Sequence, residues 1–571
     1  MEAFPLAVAT LLAWCCVFAA GDADKPPPPN LVVFLVDDLG YGDVGCFGNQ
    51  SLPTPNIDRL CREGVKLSQH IAASPICTPS RAALLTARYP VSIGMESSRL
   101  NRVFLNLAST GGLPVGVKTL PRVLQESGYS TALIGKWHLG LHCGFPPDFC
   151  HHPNSHGFDY FYGLPLTNLR DFGNNDGLHS SVLKPFMHLV TAAWVSLMIS
   201  ALTFLWLVTK RACAAAMVFL LMCSVLGCVL MPLHNFRTFS GVLMKNLDVV
   251  EQPLDLDGLT ERFVGEAMNF IDQQASDDKP FLLFLAFTHV HTALVPGNKF
   301  RGKSQFGAYG DSVMEVDHSM GQILAQLDAL DLTDNTVVYF SSDNGAHQEE
   351  TMGDGSPAGG SNFPLKGGKG MGSMEGGIRV PSVIRYPKVF PAGREVAVPT
   401  SQMDLLPTFA SLAGLNVDTR RMDGKDLTQV LSNGTDDSPH KVLLHFCGTY
   451  LHGARYVEDV DHVWKVIFAH PKFLPGTYRC EFICFCTPGD VVTLDPPLVY
   501  NIQEDMTEKH ALNPATDKYR QVLDLVKSAA RDLDEALMVN PPEDQFSILN
   551  SIWRPWLQPC CDFGKMCSCD S

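Results

Sequence analysis

Three uninterrupted apolar runs, Leu31–Val36, Phe281–Phe287 and Thr336–Phe340, predict an α/β protein. A strand with one wet face alternates polar and apolar residues, whereas a run without alternation is buried on both faces, as in a sheet covered by helices. The runs lead into polar clusters: Asp37-Asp38, His289-Val290-His291, and Ser341-Ser342-Asp343-Asn344-Gly345. The C-terminal edge of such a sheet is where α/β folds hold ligands. At 571 residues and 46% hydrophobic composition the chain can bury a large core and has the length for two domains.

Taken from the N-terminus, Pro5–Phe18 is an apolar run closing on Ala19-Ala20-Gly21, the core and small-residue exit of a secretory signal, although Glu2 stands where a basic residue is usual. The run is short for about 30 Å of hydrocarbon, so residues 1–21 are expected to be cleaved, with the Pro-rich Lys25–Pro29 opening the mature chain. Cysteine usage agrees with a lumenal or extracellular compartment. Cys143 and Cys150, then Cys447, Cys480, Cys484 and Cys486, then Cys560, Cys561, Cys567 and Cys569 fall in clusters. Their uneven spacing behind a signal favours disulfides over zinc. Asn49-Gln50-Ser51 and Asn433-Gly434-Thr435 match the glycosylation sequon. A formal net charge of −16 offers no basic footprint for nucleic acid, so an anionic substrate would need a locally positive pocket.

The chemistry-bearing stretches follow. Asp37, Asp38, Asp343 and Asn344, at two strand ends, make an all-oxygen set suited to calcium or magnesium. Taken alone, an Asp pair after a strand as readily makes a turn. Cys77-Thr78-Pro79-Ser80-Arg81 continues into Ala82-Ala83-Leu84-Leu85-Thr86-Ala87-Arg88; a lone cysteine there would read as a small buried hydrophobe. Ser130–Ile134 is a further short apolar run, leading through Gly135 to Lys136-Trp137-His138. Lys136 and His138, two apart on an extended segment, face the same side of the chain. Lys366-Gly367-Gly368-Lys369 lies in a glycine-rich stretch before Glu375-Gly376-Gly377-Ile378-Arg379-Val380-Pro381, without a nucleotide P-loop pattern.

Two further apolar runs, Phe186–Thr209 and Ala212–Leu233, are separated only by Lys210-Arg211. Each is long enough to cross a bilayer as a helix, and neither keeps a polar face at helical period. Residues 185–235 are therefore expected to form a transmembrane helical hairpin, its basic tip on the cytoplasmic side. Trp194, Trp206 and His188 read as residues near the membrane interface. Gln545–Leu557, with Trp553 and Trp556, reads equally as a lipid-adjacent segment and as core packing.

In order as well as type, these pieces resemble the sulfatases over nearly the whole mature length. The stretches that carry the resemblance are the cysteine signature at Cys77, Val36–Gly40, Pro55–Leu60, Gly135–Gly140, His289–Leu294 and Glu375–Pro381. The apolar hairpin and Leu166–Asp171 point to the family's membrane-associated arylsulfatase branch. The resemblance implies an alkaline-phosphatase-like fold. In it, a large mixed-sheet catalytic domain (22–184 and 236–414) is interrupted by the hairpin (185–235) and followed by a smaller α+β subdomain (415–571). It implies Cys77 oxidised to formylglycine by a dedicated maturation machinery, and Ca2+ held by Asp37, Asp38, Asp343, Asn344 and oxygen from residue 77.

The catalytic residues it implies are Cys77, Arg81, Lys136, His138, His291 and Lys369. Arg81 and Lys136 would steady the modified residue, His291 or Lys369 would serve the departing alcohol, and His138 would take a proton from the hydrate. The implied reaction is hydrolysis of sulfate esters of hydrophobic alcohols or phenols, steroid sulfates first and smaller aryl sulfates second, at an endoplasmic-reticulum or other secretory membrane with the catalytic domain lumenal. A phosphate-ester hydrolase of the related fold normally presents serine or threonine, against Cys77. A non-enzymatic membrane protein with a relic domain sits poorly with the intact charged set. Three positions depart from the pattern: Ala87 replaces the family's usual glycine, Phe172 a cysteine of the branch, and Asn344 a glutamine of its relatives. With no cysteine in 236–246 either, no disulfide is expected across the hairpin base.

Overall fold

The computed structural model describes residues 27–172, 183–209, 217, 219, 221–223, 234–277, 279–432, 437–565 and 567–569. Its strands in chain order begin with β1 (Asn30–Val36), β2 (Val65–Leu67), β3 (His70–Ile71), β4 (Ser130–Lys136), β5 (Tyr160–Leu164), β6 (Leu243–Lys245), β7 (Asp248–Glu251) and β8 (Phe281–Ala286). They continue with β9 (Thr336–Ser342), β10 (Ser382–Arg385), β11 (Arg394–Val396), β12 (Thr400–Ser401), β13 (Val442–Cys447), β14 (Tyr450–Val457), β15 (Val463–Pro471) and β16 (Val491–Asn501).

Ten strands form one sheet in the order β11-β2-β10-β9-β1-β8-β4-β5-β6-β7. Its centre, β9-β1-β8-β4, is parallel, while β10 against β9 and β6 against β5 are antiparallel, so the sheet is mixed. The apolar runs are its core. In β1, Leu31, Val33 and Leu35 face the layer of helices Cys77–Thr86, Leu120–Glu126 and Leu405–Leu412. Val32, Phe34 and Val36 face the opposite layer of helices Pro55–Glu63, Leu259–Ser276 and Gly307–Ala329. Strand alternation explains why one run needs apolar residues at every position: each face meets its own helical layer.

A second, antiparallel sheet runs β13-β14-β15-β16. Helix Asp517–Val539 lays Tyr519, Val522 and Val526 against its Leu443, Ala454 and Val466.

The expected first membrane span is part of a 27-residue helix, Leu183–Thr209. Among the described residues no helix is long and apolar enough to cross a membrane. The expected second span falls largely outside the described residues, as do the signal segment 1–21, the Lys210-Arg211 tip and Asn433. Phe172 packs on Phe236 with ring centroids 5.7 Å apart. Of the two tryptophans near the C-terminus, Trp553 packs on Phe239 at 6.0 Å and Trp556 is 56% exposed.

Disulfides join Cys143 to Cys150, Cys447 to Cys486, Cys480 to Cys484, Cys560 to Cys567 and Cys561 to Cys569. A sixth, Cys46 to Cys61, joins cysteines that no cluster in the sequence suggested.

Gly135 lies in β4 at φ +108°, and a Cβ there would sit 1.8 Å from the Ala286 carbonyl oxygen of β8. Glycine alone lets the two central strands approach while Lys136 follows directly. Gly135→Ala is expected to destabilise the protein by about 3 kcal/mol or more, measured by denaturant unfolding; an unchanged midpoint would contradict the close approach.

Candidate active site

The parallel centre of the sheet places four strand ends on one edge. β1 and β9 are in register through Val36 and Ser342, so Asp37-Asp38 and Asp343-Asn344 leave side by side. All four are buried. The Asp38 amide donates to Asp343 Oδ1 at 3.2 Å, and Asn344 Nδ2 donates to Asp38 Oδ1 at 2.7 Å.

Asp37, Asp38 and Asp343 each offer an oxygen within 4.8 Å of the others, the geometry of a candidate metal site. Asp37 Oδ1 and Asn344 Oδ1 are buried and have no hydrogen-bond partner among the described residues. Buried acceptors are rarely left so, and an oxygen-seeking cation would satisfy both. Electrostatics agrees: burial, then repulsion from Asp37, pushes the Asp343 carboxyl up to about 6, a strain that a cation between them relieves.

Each carboxylate also has its own basic partner. Lys136 Nζ donates to Asp37, Lys369 Nζ to Asp38 Oδ2 at 2.6 Å, and Arg81 Nε to Asp343 Oδ2 at 2.9 Å. Burial alone would raise Asp38, but Lys369, His291 and His347 together hold it well below the usual carboxylate range.

Cys77 opens helix Cys77–Thr86, with Ile76 extended before it and Pro79 in the first turn, where its missing amide costs nothing. A helix N-terminus favours anions. Burial pushes the Cys77 thiol up in pKa, so as cysteine it is a protonated, poor nucleophile. Its Sγ lies 3.3 Å from His138 Nδ1. His138 Nε2 lies 2.9 Å from the Phe104 carbonyl oxygen. That oxygen can only accept, so Nε2 carries the hydrogen and the Nδ1 lone pair faces residue 77. Burial, then Lys136, keeps His138 far below its ordinary pKa and neutral.

Lys136 and His138 both reach this site, but not by strand alternation. His138 turns at φ +64°, and the buried Trp137 between them donates its indole N–H to the Gly140 and His151 carbonyls at 3.0 and 2.9 Å. The His138 carbonyl then accepts from Thr78 Oγ at 3.0 Å. On the other side His291 Nε2 stands 3.9 Å from Asp38 Oδ2, and at 13% side-chain exposure it is the most open of the expected site residues. Burial, then Lys369, lowers it to about 3. All the expected residues, Asp37, Asp38, Cys77, Arg81, Lys136, His138, His291, Asp343, Asn344 and Lys369, thus meet at one edge.

Some members have no motif of their own. Phe104 acts through its carbonyl, which no side-chain pattern can reveal. Ser80 Oγ donates to Gln402 Oε1 at 2.9 Å, tying the Cys77 helix to a segment more than 300 residues away. His347 Nδ1 lies 3.0 Å from Glu350 Oε1, and its Nε2 lies 2.8 Å from the Phe482 carbonyl oxygen, which joins the Cys480–Cys486 loop to the segment that follows Asn344. The three-residue spacing of His347 and Glu350 was the available signal. His289, beside His291, is taken up by Glu315 at 3.3 Å.

Fold and site together present a buried carboxylate cluster that could hold a metal ion, with three cations beside it, at one edge of a mixed α/β sheet. The family model for sulfatases matches residues 29–415, and that for the C-terminal region of aryl-sulfatase matches 438–569. The chain belongs to the sulfatase family and is a sulfuric ester hydrolase.

It is 45% identical over 552 residues to steryl-sulfatase of Homo sapiens, covering 95% of this chain and 94% of that one. It is 43% identical over 560 residues to arylsulfatase H of Homo sapiens, covering 95% and 97%. Among solved structures, Ps i-CgsB aligns with a TM-score of 0.63 at 27% identity, over 92% of this chain and 95% of that chain. The PsFucS1 sulfatase from Pseudoalteromonas sp. aligns at 0.68 with 24% identity, over 95% and 96%, a likeness of fold.

Asp343→Ala removes one carboxylate of the cluster and leaves Arg81 buried without its nearest anion. Divalent-metal affinity is expected to fall by about 100-fold, read as metal content per folded chain by elemental analysis after dialysis. Wild-type content in the variant would refute the ligand assignment.

Proposed function

We propose that this chain hydrolyses sulfate esters of hydrophobic alcohols or phenols, steroid sulfates first and smaller aryl sulfates second. The observation that carries this reading is the Cys77 Sγ to His138 Nδ1 contact of 3.3 Å, set beside the oxygen cluster. In this reading Asp37, Asp38, Asp343 and Asn344 hold Ca2+, for which an oxygen-only donor set is suited. Residue 77, once converted to formylglycine by the maturation machinery, would supply a nucleophilic oxygen, and a bound cation would offset sulfate charge and lower the proton affinity of that oxygen.

The chain's own residues do the rest. His138, held with its Nε2–H on the Phe104 carbonyl, accepts a proton at Nδ1 from the group at residue 77. Arg81 is fixed by Asp343 and by the Lys136 carbonyl, which accepts from its Nη1 at 3.1 Å, so its charge stays beside that residue. Lys136, with protons to spare beyond Asp37, faces the anion.

For the departing alcohol, His291 and Lys369 are the two donors in reach. His291 Nδ1 lies 2.6 Å from the Thr292 carbonyl oxygen, which leaves a neutral ring only a lone pair at Nε2. Lys369 keeps a proton to give, and this favours it at the leaving oxygen.

The apolar helix supports a hydrophobic substrate. Leu197, Ile199 and Phe204 of Leu183–Thr209 are exposed, which in water is unfavourable and in a bilayer is not. We read residues 185–235 as the membrane-inserted hairpin, residues 1–21 as a signal peptide, and the compartment as the lumen of the endoplasmic reticulum or a later secretory membrane. An ester on an apolar body partitions toward such a surface. The discontinuous catalytic domain and the 415–571 subdomain belong to the same reading.

Two experiments test it. Cys77→Ser is expected to leave a folded chain without multiple turnover, and mass spectrometry of the peptide containing residue 77 to reveal the modification in the unmutated protein; undiminished steady-state hydrolysis by the variant sinks the mechanism. In a detergent panel of sulfate esters, kcat/KM is expected to rise with apolar area, about tenfold for each 1.4 kcal/mol of added burial. Equal rates for steroid and small aryl sulfates would remove the steroid preference.

A further inference from the structure

Glu375 opens the Glu375–Pro381 stretch, yet it touches none of the residues assigned above to the chemistry. It is wholly buried. Its partners come from the C-terminal sheet: Lys465 Nζ at 2.6 Å from Oε1 and the Arg455 guanidinium, with Arg379 Nη1 at 3.5 Å from Oε2. Arg455 on β14 and Lys465 on β15 are directly opposite in register and completely buried. Like charges opposite one another destabilise a strand pair, and buried cations need an anion. The second sheet therefore carries a charge that is answered largely from the first domain. Glu508 answers part of it, at 2.7 Å from Lys465 Nζ.

The segment ending at Glu375 carries Lys369. Its other end is tied to the same region, because Lys366 Nζ donates to the Glu508 carbonyl at 2.6 Å. Between these ends the backbone is fastened to the active site itself. The Lys369 amide donates to the Ala346 carbonyl at 3.1 Å and the Gly370 amide to the Pro75 carbonyl at 2.8 Å; Gly345 N–H, next to Asn344, donates to the Gly377 carbonyl at 3.1 Å. The loop thus lies between two anchors in the C-terminal domain and two backbone contacts of its own, at Ala346 and Pro75, with a third from Gly345 to Gly377 just past Glu375.

We propose that Glu375 is a positioning residue for Lys369: pinned by Arg455 and Lys465 of the second sheet, it holds the 366–375 loop so that the Lys369 ammonium stays on Asp38. The C-terminal domain then contributes to catalysis through a buried ion cluster without supplying a group that touches substrate at this point. The inference rests on Lys369 acting in the reaction, as given under Proposed function. A 1 Å misplacement of such a group costs about 10²-fold in rate.

The test is a double-mutant cycle on the full-length enzyme: wild type, Glu375→Gln, Lys369→Ala and the double variant, with kcat/KM measured on aryl sulfates of graded leaving-group acidity and thermal unfolding recorded for each. Glu375→Gln is expected to cost about 10²-fold in the wild type and no more than about 2-fold when Lys369 is already alanine. The same loss in both backgrounds overturns the proposal, since a purely structural role lowers active enzyme equally in each. Should Glu375→Gln not fold, Lys366→Met, at the partly exposed end of the loop, takes its place with the same criteria. The leaving-group series separates the underlying reading: a flat response in Lys369→Ala removes Lys369 from the departing oxygen, while the cycle still decides whether Glu375 positions it.

Discussion

The active edge depends on the parallel packing of β9, β1, β8 and β4. Parallel neighbours end at the same edge, so segments separated by up to about 300 positions deliver Asp343-Asn344, Asp37-Asp38, His291 and Lys136-His138 to one place. The residues that make these strands pair are apolar on both faces and have nothing to do with chemistry. They nevertheless fix which polar residues can meet. A one-residue slip of β9 against β1 would carry Asp343 out of line with Asp37 and turn its side chain to the other face.

Three buried carboxylates in mutual contact would be unfavourable by several kcal/mol each if unpaired. Each has a nearest cation, Lys136 for Asp37, Lys369 for Asp38 and Arg81 for Asp343, with Arg81 reaching Asp37 as well at 3.8 Å. In the reading proposed above, the same cations would also meet the charge of the anionic ester, so one set of residues would serve charge balance in the resting protein and recognition of the substrate. Their sources differ. Arg81 comes from the helix begun by Cys77, Lys136 from a central strand and Lys369 from the glycine-rich loop. That loop is the least regular of the three, which is why the buried Glu375 cluster behind it matters most for geometry.

The strands were legible because burial on two faces leaves a strong compositional mark, and the polar strand ends were legible because they interrupt it. The site set was legible through the sulfatase resemblance more than through spacing. Two apart on a strand is a sound reason for Lys136 and His138 to share a side, yet here a left-handed turn at His138 and an anchored Trp137 do that work. What escaped were partners without local pattern: the Phe104 carbonyl, Gln402, and Arg455 with Lys465, which reach their targets across tens to hundreds of residues. Cys46 and Cys61 escaped for a related reason, since 15 positions of separation put them in no cluster. The apolar runs at 186–233 were legible in the sequence, but only the first falls largely within the described residues, in helix Leu183–Thr209.

Ala87 shows how a departure from a family pattern can be understood by conformation. It stands just past the last turn of helix Cys77–Thr86 at φ +57°, ψ +27°, with its amide donating to the Ala83 carbonyl. This is the left-handed cap that glycine fills without strain and that costs another residue about 1 kcal/mol. Its carbonyl is also occupied, accepting from the Asp423 and Gly424 amides at 2.8 and 3.0 Å. The methyl group is fully buried in the core beneath the sheet, so burial returns part of the conformational cost. A ten-residue helix is about 15 Å long, and Ala87 lies at the end away from Cys77. A glycine at this place, the pattern the resemblance led one to expect, would serve helix termination, so Ala87 bears on stability at the far end of the helix rather than on the chemistry at its beginning.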